Sequence, residues 1–299
     1  MTIFLSTLMV GLRLGSIYAL IALGYTMVYG IIRMINFAHG DFIMVGGYTL
    51  VFTMPVMTEK LGLPAWTGVV FAIIVCAIVG VLVELLAYRP VRKKGTGMSA
   101  LITAIAMSLI LENLAQAIPA IGPNPKIPQV IFPASSLTLA GITIDTTTIY
   151  TIVVAGAMMV LLTLLVKKTS FGRAMRAVSE NKKAAVLMGV SVDRTILLTF
   201  AIGASLAAVA ALMYIAQYPL VFTTIGSSLG LKAFVAAVLG GIGSLPGAML
   251  GGLIIGMAES FTVSYISSAM ADTFVYLILI IVLLIRPVGI LGKNVREKV

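Results

Sequence analysis

Charge is scarce in this sequence. Of its 299 residues only 10% are Asp, Glu, Lys or Arg, while 60% are hydrophobic. A soluble domain carries about 25% charged residues, because water must solvate its surface, so a soluble globular enzyme is excluded. Cysteine is scarcer still. Cys76 stands alone in an apolar run, which excludes an internal disulfide and argues against a cysteine-based metal site. The single histidine, His39, has no cluster of acidic partners beside it, so no metal and no cofactor is expected. A phosphate-binding G-x-x-x-x-G-K-[ST] loop is missing too. Gly292-Lys293-Asn294 lacks both the preceding glycine loop and the hydroxyl, so no ATP hydrolysis by the chain itself and no catalytic residue is expected. Met1-Thr-Ile-Phe has no basic segment and no small-residue cleavage site, and the first apolar stretch reads as a membrane element rather than a removable signal.

Long apolar runs are what the sequence does have. Eight stretches stand out, near 3–31, 42–57, 66–87, 99–118, 148–166, 195–216, 233–258 and 273–291. A helix needs about 20 apolar residues to cross a bilayer, and a membrane β-barrel would instead show alternating segments of about ten. The expected fold is an all-α integral membrane protein, a polytopic bundle of about eight segments. These use up the chain, so residues 1–299 read as one membrane domain.

The net charge of +10 could suggest nucleic acid, but its distribution says otherwise. Fifteen of the 20 basic residues fall in the loops 88–98 and 167–194 and in the tail from Arg286. Lys and Arg concentrate in cytoplasmic loops, so these three segments are expected in the cytoplasm, against anionic lipid headgroups, and no nucleic-acid partner is expected. This orientation leaves residue 217 outside and Arg286 inside. The stretch 233–258 must then return to the side it entered from. Its centre, Leu239-Gly-Gly-Ile-Gly-Ser-Leu-Pro-Gly247, is a poor uninterrupted helix, and a glycine-rich broken or re-entrant hairpin is expected there. Such backbone is tolerated at membrane depth only where protein buries it or it lines a watery cavity.

A second break lies at Arg33 to Asp41. Asn36-Phe-Ala-His-Gly-Asp41 reads either as helix capping by Asn36 and Asp41 or as part of a pathway. Residues 36–47 and 241–252 share Met and Gly-Gly at one offset, with further glycines out of register, an echo that would suit paired breaks in a transporter. Glu84, Glu112 and Glu259 read as interhelical hydrogen-bonding groups. Gly11-x-x-x-Gly15, Gly247-x-x-x-Gly251 and Gly252-x-x-x-Gly256 read as close helix packing. In the loop 167–194, Ser179 reads as an N-cap with Glu180 in the first turn. Ala184, Leu187 and Met188 then form an apolar face, Gly189 ends the helix and Asp193 caps the next span. An amphipathic cytoplasmic helix of this kind suits a partner protein better than a bare membrane surface.

Six runs carry a resemblance: Gly24-Tyr-Thr-Met-Val-Tyr-Gly30 with Ile35-Asn-Phe-Ala-His-Gly40, Ala87-Tyr-Arg-Pro-Val91, Gly172-Arg-Ala-Met-Arg176, Ala237 to Gly247, and Arg286-Pro-Val-Gly-Ile-Leu-Gly292. In this order they resemble the permease subunit of bacterial branched-chain amino acid ABC importers. The resemblance implies a multi-pass inner-membrane subunit that pairs with a homologous permease, two cytoplasmic ABC ATPase subunits and a periplasmic amino-acid-binding protein. It makes the segment with Arg173, Arg176, Glu180, Ala184, Ala185 and Gly189 the coupling segment. Ala184-Ala185-x-x-x-Gly189 is similar to the family's coupling core, with Lys183 where a Glu often stands. For the pathway the expected residues are Asn36, His39, Gly40 and Asp41 with Gly241, Gly243 and Ser244, the latter offering backbone N–H groups to a zwitterion. Leu, Ile and Val are the expected substrates. Urea, amides or other amino acids are the alternatives within the family, and an ion-coupled secondary carrier or a purely structural partner outside it.

Overall fold

The computed structural model describes residues 2–95, 97–129, 135–139 and 142–292. Its helices are α1 (Thr2–Ile32), α2 (Asp41–Pro55), α3 (Trp66–Val83), α4 (Arg89–Lys94), α5 (Gly97–Ala117), α6 (Thr146–Lys168), α7 (Ser170–Glu180), α8 (Lys182–Leu187), α9 (Val192–Ile215), α10 (Ile225–Gly240), α11 (Leu245–Tyr265) and α12 (Ala271–Ile285). Among the described residues eight helical segments are long and apolar enough to cross a membrane. They fall on the eight apolar stretches, with one shift of boundaries.

That shift concerns the stretch at 233–258, which is a hairpin of α10 and α11. The 16 residues of α10 rise about 24 Å at 1.5 Å per residue, short of the roughly 30 Å hydrocarbon layer. The expected start at 233 is too late by eight residues, because Thr223, Ser227, Ser228 and Lys232 read as a polar loop but lead into or lie on α10. At the tip Gly241 (φ 98°) and Gly243 (φ 97°) adopt left-handed backbone, which costs an L-residue about 1–2 kcal/mol. Ser244 then caps α11, its hydroxyl accepting from Gly247 N–H at 3.2 Å. The chain after α12 latches onto this tip, with Ile290 N–H donating to Leu239 O and Leu291 N–H to Gly240 O, both at 2.9 Å. The tip therefore lies level with the chain that follows α12.

By internal contacts the chain forms two units. Unit 1 comprises Met1–Thr26, Ala134–Leu161 and Lys232–Val299. Here α1 and α11 run antiparallel along a seam of small residues. A Cβ at Gly15 would stand 2.7 Å from Leu253 Cα, and one at Gly256 would collide with the Gly15 backbone. Farther along the seam, Ser260 Oγ donates to Thr7 O at 2.8 Å. The GxxxG spacings are indeed packing devices.

Unit 2 comprises Met27–Pro133 and Leu162–Leu231. Its core is α2, α3 and α9, packed through Gly46 on Ala208, with Cys76 beside it, and Gly80 on Ala204. Cys76 is fully buried, its Sγ 3.4 Å from Phe42 O, as befits a small hydrophobe.

The described part of the loop 119–147 holds one departure from an all-helical chain. Strands β1 (Ser136–Leu139) and β2 (Ile142–Asp145) pair antiparallel. Ser-Leu-Thr-Leu and Ile-Thr-Ile-Asp alternate polar and apolar residues, the period of a strand rather than a helix. The basic tail residues Lys293, Arg296 and Lys298 lie outside the described residues.

Candidate functional site

The break after α1 begins at Arg33, a non-glycine residue with φ 58°, a conformation sparsely populated outside glycine. A short turn at Phe37–His39 follows, and α2 starts at Asp41. Asn36, His39 and Asp41 are all buried here. Asn36 does not cap with its side chain. Its Oδ1 accepts from Tyr88 Oη at 2.6 Å, which ties the break to the end of the span that begins with α3. His39 meets Phe42 edge to face. Gly40 is where the backbone of α10 comes closest, and a Cβ there would collide with Gly226 O. Only glycine at both positions permits that approach.

Asp41 does not cap through its side chain either, and neither carboxylate oxygen has a hydrogen-bond partner within normal limits. Ser108 and Glu112 on α5 are the side chains acting on it. Glu112 in turn accepts from Ser227 Oγ, and Gln116 Nε2 donates to Thr223 Oγ1 at 3.2 Å. Ser108, Glu112 and Gln116 recur every fourth residue, one polar row along α5. Ser108, Gln116 and Ser227 were missed from sequence; the i, i+4, i+8 spacing on α5 was the available signal. Gly226-Ser-Ser-Leu-Gly230 spells the hydrolase pattern G-x-S-x-G, but it lies within α10 without the strand-to-helix elbow that chemistry needs.

The other residues expected in a pathway, Gly241, Gly243 and Ser244, lie in unit 1. The N–H of Gly241 donates to Val238 O at 3.0 Å and that of Ser244 to Gly241 O at 3.1 Å, so both are engaged within the turn, while Gly243 is exposed. Lys232, expected in an outer loop, lies on α10 and forms ion pairs with Glu259 at 2.6 Å and Asp272 at 2.8 Å. Tyr18 Oη donates to Glu259 at 2.7 Å. Glu259 is thus interhelical, as its position suggested.

The segment 167–194 forms two helices rather than one. Thr169 caps α7 by accepting from Gly172 N–H at 3.0 Å, and Gly172, Met175 and Val178 are its buried side. Ser179 lies inside α7 and donates to Arg176 O at 2.8 Å; the cap of α8 is Asn181, which accepts from Ala184 N–H at 3.1 Å. Reading Ser179 as the cap underestimated how far helix extends on its N-terminal side. The apolar face is also redistributed. Ala185 is buried, whereas Leu187 is 89% and Met188 82% exposed. Arg173, Glu180 and Ala184 are exposed, and exposed Arg176 also donates to Val166 O. Gly189 (φ 80°) turns the chain out of α8, with Val190 N–H returning to Ala185 O at 2.9 Å in the manner of a helix C-cap. Burial first, then Arg92 and Arg33, hold the Lys182 ammonium below the usual lysine range.

Asp193 does not cap α9 but gathers cations: Arg89 at 2.7 Å, Arg92 at 3.1 Å and Lys93 at 3.2 Å. Arg92 also pairs with buried Glu84 at 2.6 Å. Among the described residues no group of three or more His, Cys, Asp or Glu is placed to hold a metal ion.

Eight apolar spans, buried polar breaks and an exposed amphipathic helical segment define a multi-pass helical membrane protein. Residues 7–283 match the family described as the branched-chain amino acid transport system permease component. The chain is 44% identical to the high-affinity branched-chain amino acid transport system permease protein BraD of Pseudomonas aeruginosa, covering 99% of this chain and 98% of that one. It is 43% identical to the corresponding LivH protein of Escherichia coli, again over 99% and 98%. A probable LivH of Methanocaldococcus jannaschii is 31% identical over 94% of this chain and 90% of its own. The chain belongs to this permease family, and it is a transport component in the membrane.

Proposed function

We propose that this chain is the permease subunit of an ABC importer that carries Leu, Ile and Val across the bacterial inner membrane, its two units acting as one domain. It works with a homologous second permease, two cytoplasmic ATPases that supply the hydrolysis it lacks, and a periplasmic binding protein. The names of its relatives favour this substrate class over urea or amides.

The observation that carries the reading is the α7–α8 segment. An apolar pair as exposed as Leu187 and Met188 is costly in water at about 25 cal/mol per Å², and it fits a protein partner. The adjacent positive charges at Lys182, Lys183 and Arg173 favour the cytoplasmic side for this segment, and the same charge rule favours it for Arg286 and the basic C-terminal sequence. Docking there would move α7, and through α7 the break at Arg33 to Asp41. Asn36, His39, Gly40 and Asp41 with Gly241, Gly243 and Ser244 then contribute to the pathway. L187E or M188E in the native complex should abolish co-purification of the ATPases. Retention of both ATPases and of uptake in the double variant would sink the docking assignment.

One observation favours a second reading. Asp41 and Glu112 have no ion pair among the described residues, as a proton- or sodium-coupled carrier would want. Gradient-driven amino acid uptake by the purified chain alone would establish that reading instead.

A further inference from the structure

Unit 2 contains a carboxylate that the packing encloses and leaves without a counter-charge. Asp41 is fully buried, and neither of its oxygens makes a hydrogen bond within normal limits. The side chains acting on it are a hydroxyl, Ser108, and a second carboxylate, Glu112. Glu112 receives one hydrogen bond, from Ser227 Oγ. Among the described residues no Lys or Arg pairs with either acid, whereas Glu84, Asp193, Glu259 and Asp272 each have a cation within 2.8 Å.

A buried carboxylate without a cation is expensive, because burying an unpaired charge costs several kcal/mol; Asp41 is fully buried and Glu112 half-buried. The surroundings do not look like a packing accident. Ser108, Glu112 and Gln116 line one face of α5, and α10 meets them with Thr223 and Ser227. Gly40 and Gly226 remove the side chains that would otherwise separate α2 from α10.

We infer that Asp41 and Glu112, with the hydroxyls of Ser108 and Ser227, form a transient station for the primary ammonium group of the substrate. Carboxylates accept charge-assisted hydrogen bonds from an ammonium, and its three donors match an acid, a second acid and a hydroxyl. An ammonium on arrival supplies the missing counter-charge and leaves it again on departure, so the station binds without trapping. Selectivity follows from the same groups: an amino acid or an amine satisfies the site, and a carboxylic acid without an ammonium is repelled. The assignment rests on reading the break at Arg33 to Asp41 as part of the pathway.

The test uses the complete complex with its ATPases and binding protein, carrying S227C; the unsubstituted chain, whose lone Cys76 is buried, is the control. Modification rates are measured with a trimethylammonium and a sulfonate methanethiosulfonate of similar size. The expected result is modification about tenfold faster by the cationic reagent. Isopentylamine and leucine should protect and 4-methylpentanoate should not, and adding E112Q should remove the charge preference. E112D, which keeps the charge, is the folding control, and D41N is read in the same way if E112Q does not assemble. No modification by either reagent in a transporting complex would overturn the pathway reading and the station together. Modification at equal rates, or a cationic preference that survives E112Q, would overturn the ammonium assignment and leave the pathway standing.

Discussion

Arg33 and Ser179 are joined across 146 residues of sequence, the Arg33 guanidinium donating to the Ser179 carbonyl at 3.2 Å. The bond links the break before α2 to the last turn of α7, which carries the proposed coupling residues. Arg33 itself holds φ at 58°, which disfavours an L-residue by about 1–2 kcal/mol. That cost suits a residue whose side chain must point one way.

Two substitutions separate the bond from the backbone strain. R33G relieves the φ and loses the guanidinium, whereas R33A loses the guanidinium and keeps the strain. Both should keep the ATPases bound but cut ATP-driven uptake about tenfold, and R33G should be the more stable by about 1 kcal/mol. Uptake and thermal unfolding of the two complexes check this. Normal uptake in both would remove Arg33 from the coupling route.

Lys232 is 16% and Glu259 12% exposed in their side chains, and they pair at 2.6 Å. K232M leaves Glu259 buried without its cation and should destabilise unit 1 by about 3 kcal/mol. The double variant K232M/E259M should recover most of that, because removing both charges also removes their desolvation cost. D272N should have a small effect, since the Asp272 side chain is 63% exposed and exposed pairs contribute about 0–1 kcal/mol. Melting temperatures in detergent rank the three. Equal losses for K232M and D272N would contradict the burial argument.

Glycines in this chain differ in what they protect. At Gly256 a Cβ would collide with the Gly15 backbone, whereas at Gly243 it would meet open space. G256A should therefore push α1 and α11 apart and cost about 1–3 kcal/mol or more. G243A meets only the left-handed backbone, about 1 kcal/mol. Comparable yields and melting temperatures for the two would be inconsistent with the seam.

Asn181 and Gly189 bound the six-residue α8 at its two ends. N181A removes an N-cap and G189A strains the exit, each costing about 1 kcal/mol. For so short a helix that is enough to fray it, so ATPase co-purification should weaken several-fold while the spans stay folded. Co-purification at the level of the unsubstituted chain would show that α8 forms on the partner instead.

Much of this was legible in the sequence. Apolar runs as long as Trp66 to Leu86 have only one stable backbone solution in lipid, so the spans followed directly. The hairpin tip at Gly241 to Ser244 followed from charge parity together with the glycine run, two independent signals. The beginning of α10 did not, because Thr223, Ser227 and Lys232 look like loop residues until Gln116, Glu112 and Glu259 are placed opposite them. Those partners are more than 25 positions away, beyond any local pattern. The same holds for Asp193, whose cap-like position concealed its ion pairs to Arg89, Arg92 and Lys93. At Asn36 and Asp41 the capping reading failed because the side chains are turned to Tyr88 and to α5, which only packing could reveal.

The central claim, a permease driven by separate ATPases, is tested most directly by radiolabelled leucine uptake into proteoliposomes. These would carry the chain with its partner permease, ATPases and binding protein. Uptake should require ATP inside and binding protein outside, and it should be lost on L187E/M188E. Leucine uptake driven by a proton or sodium gradient in vesicles holding this chain alone would contradict the account.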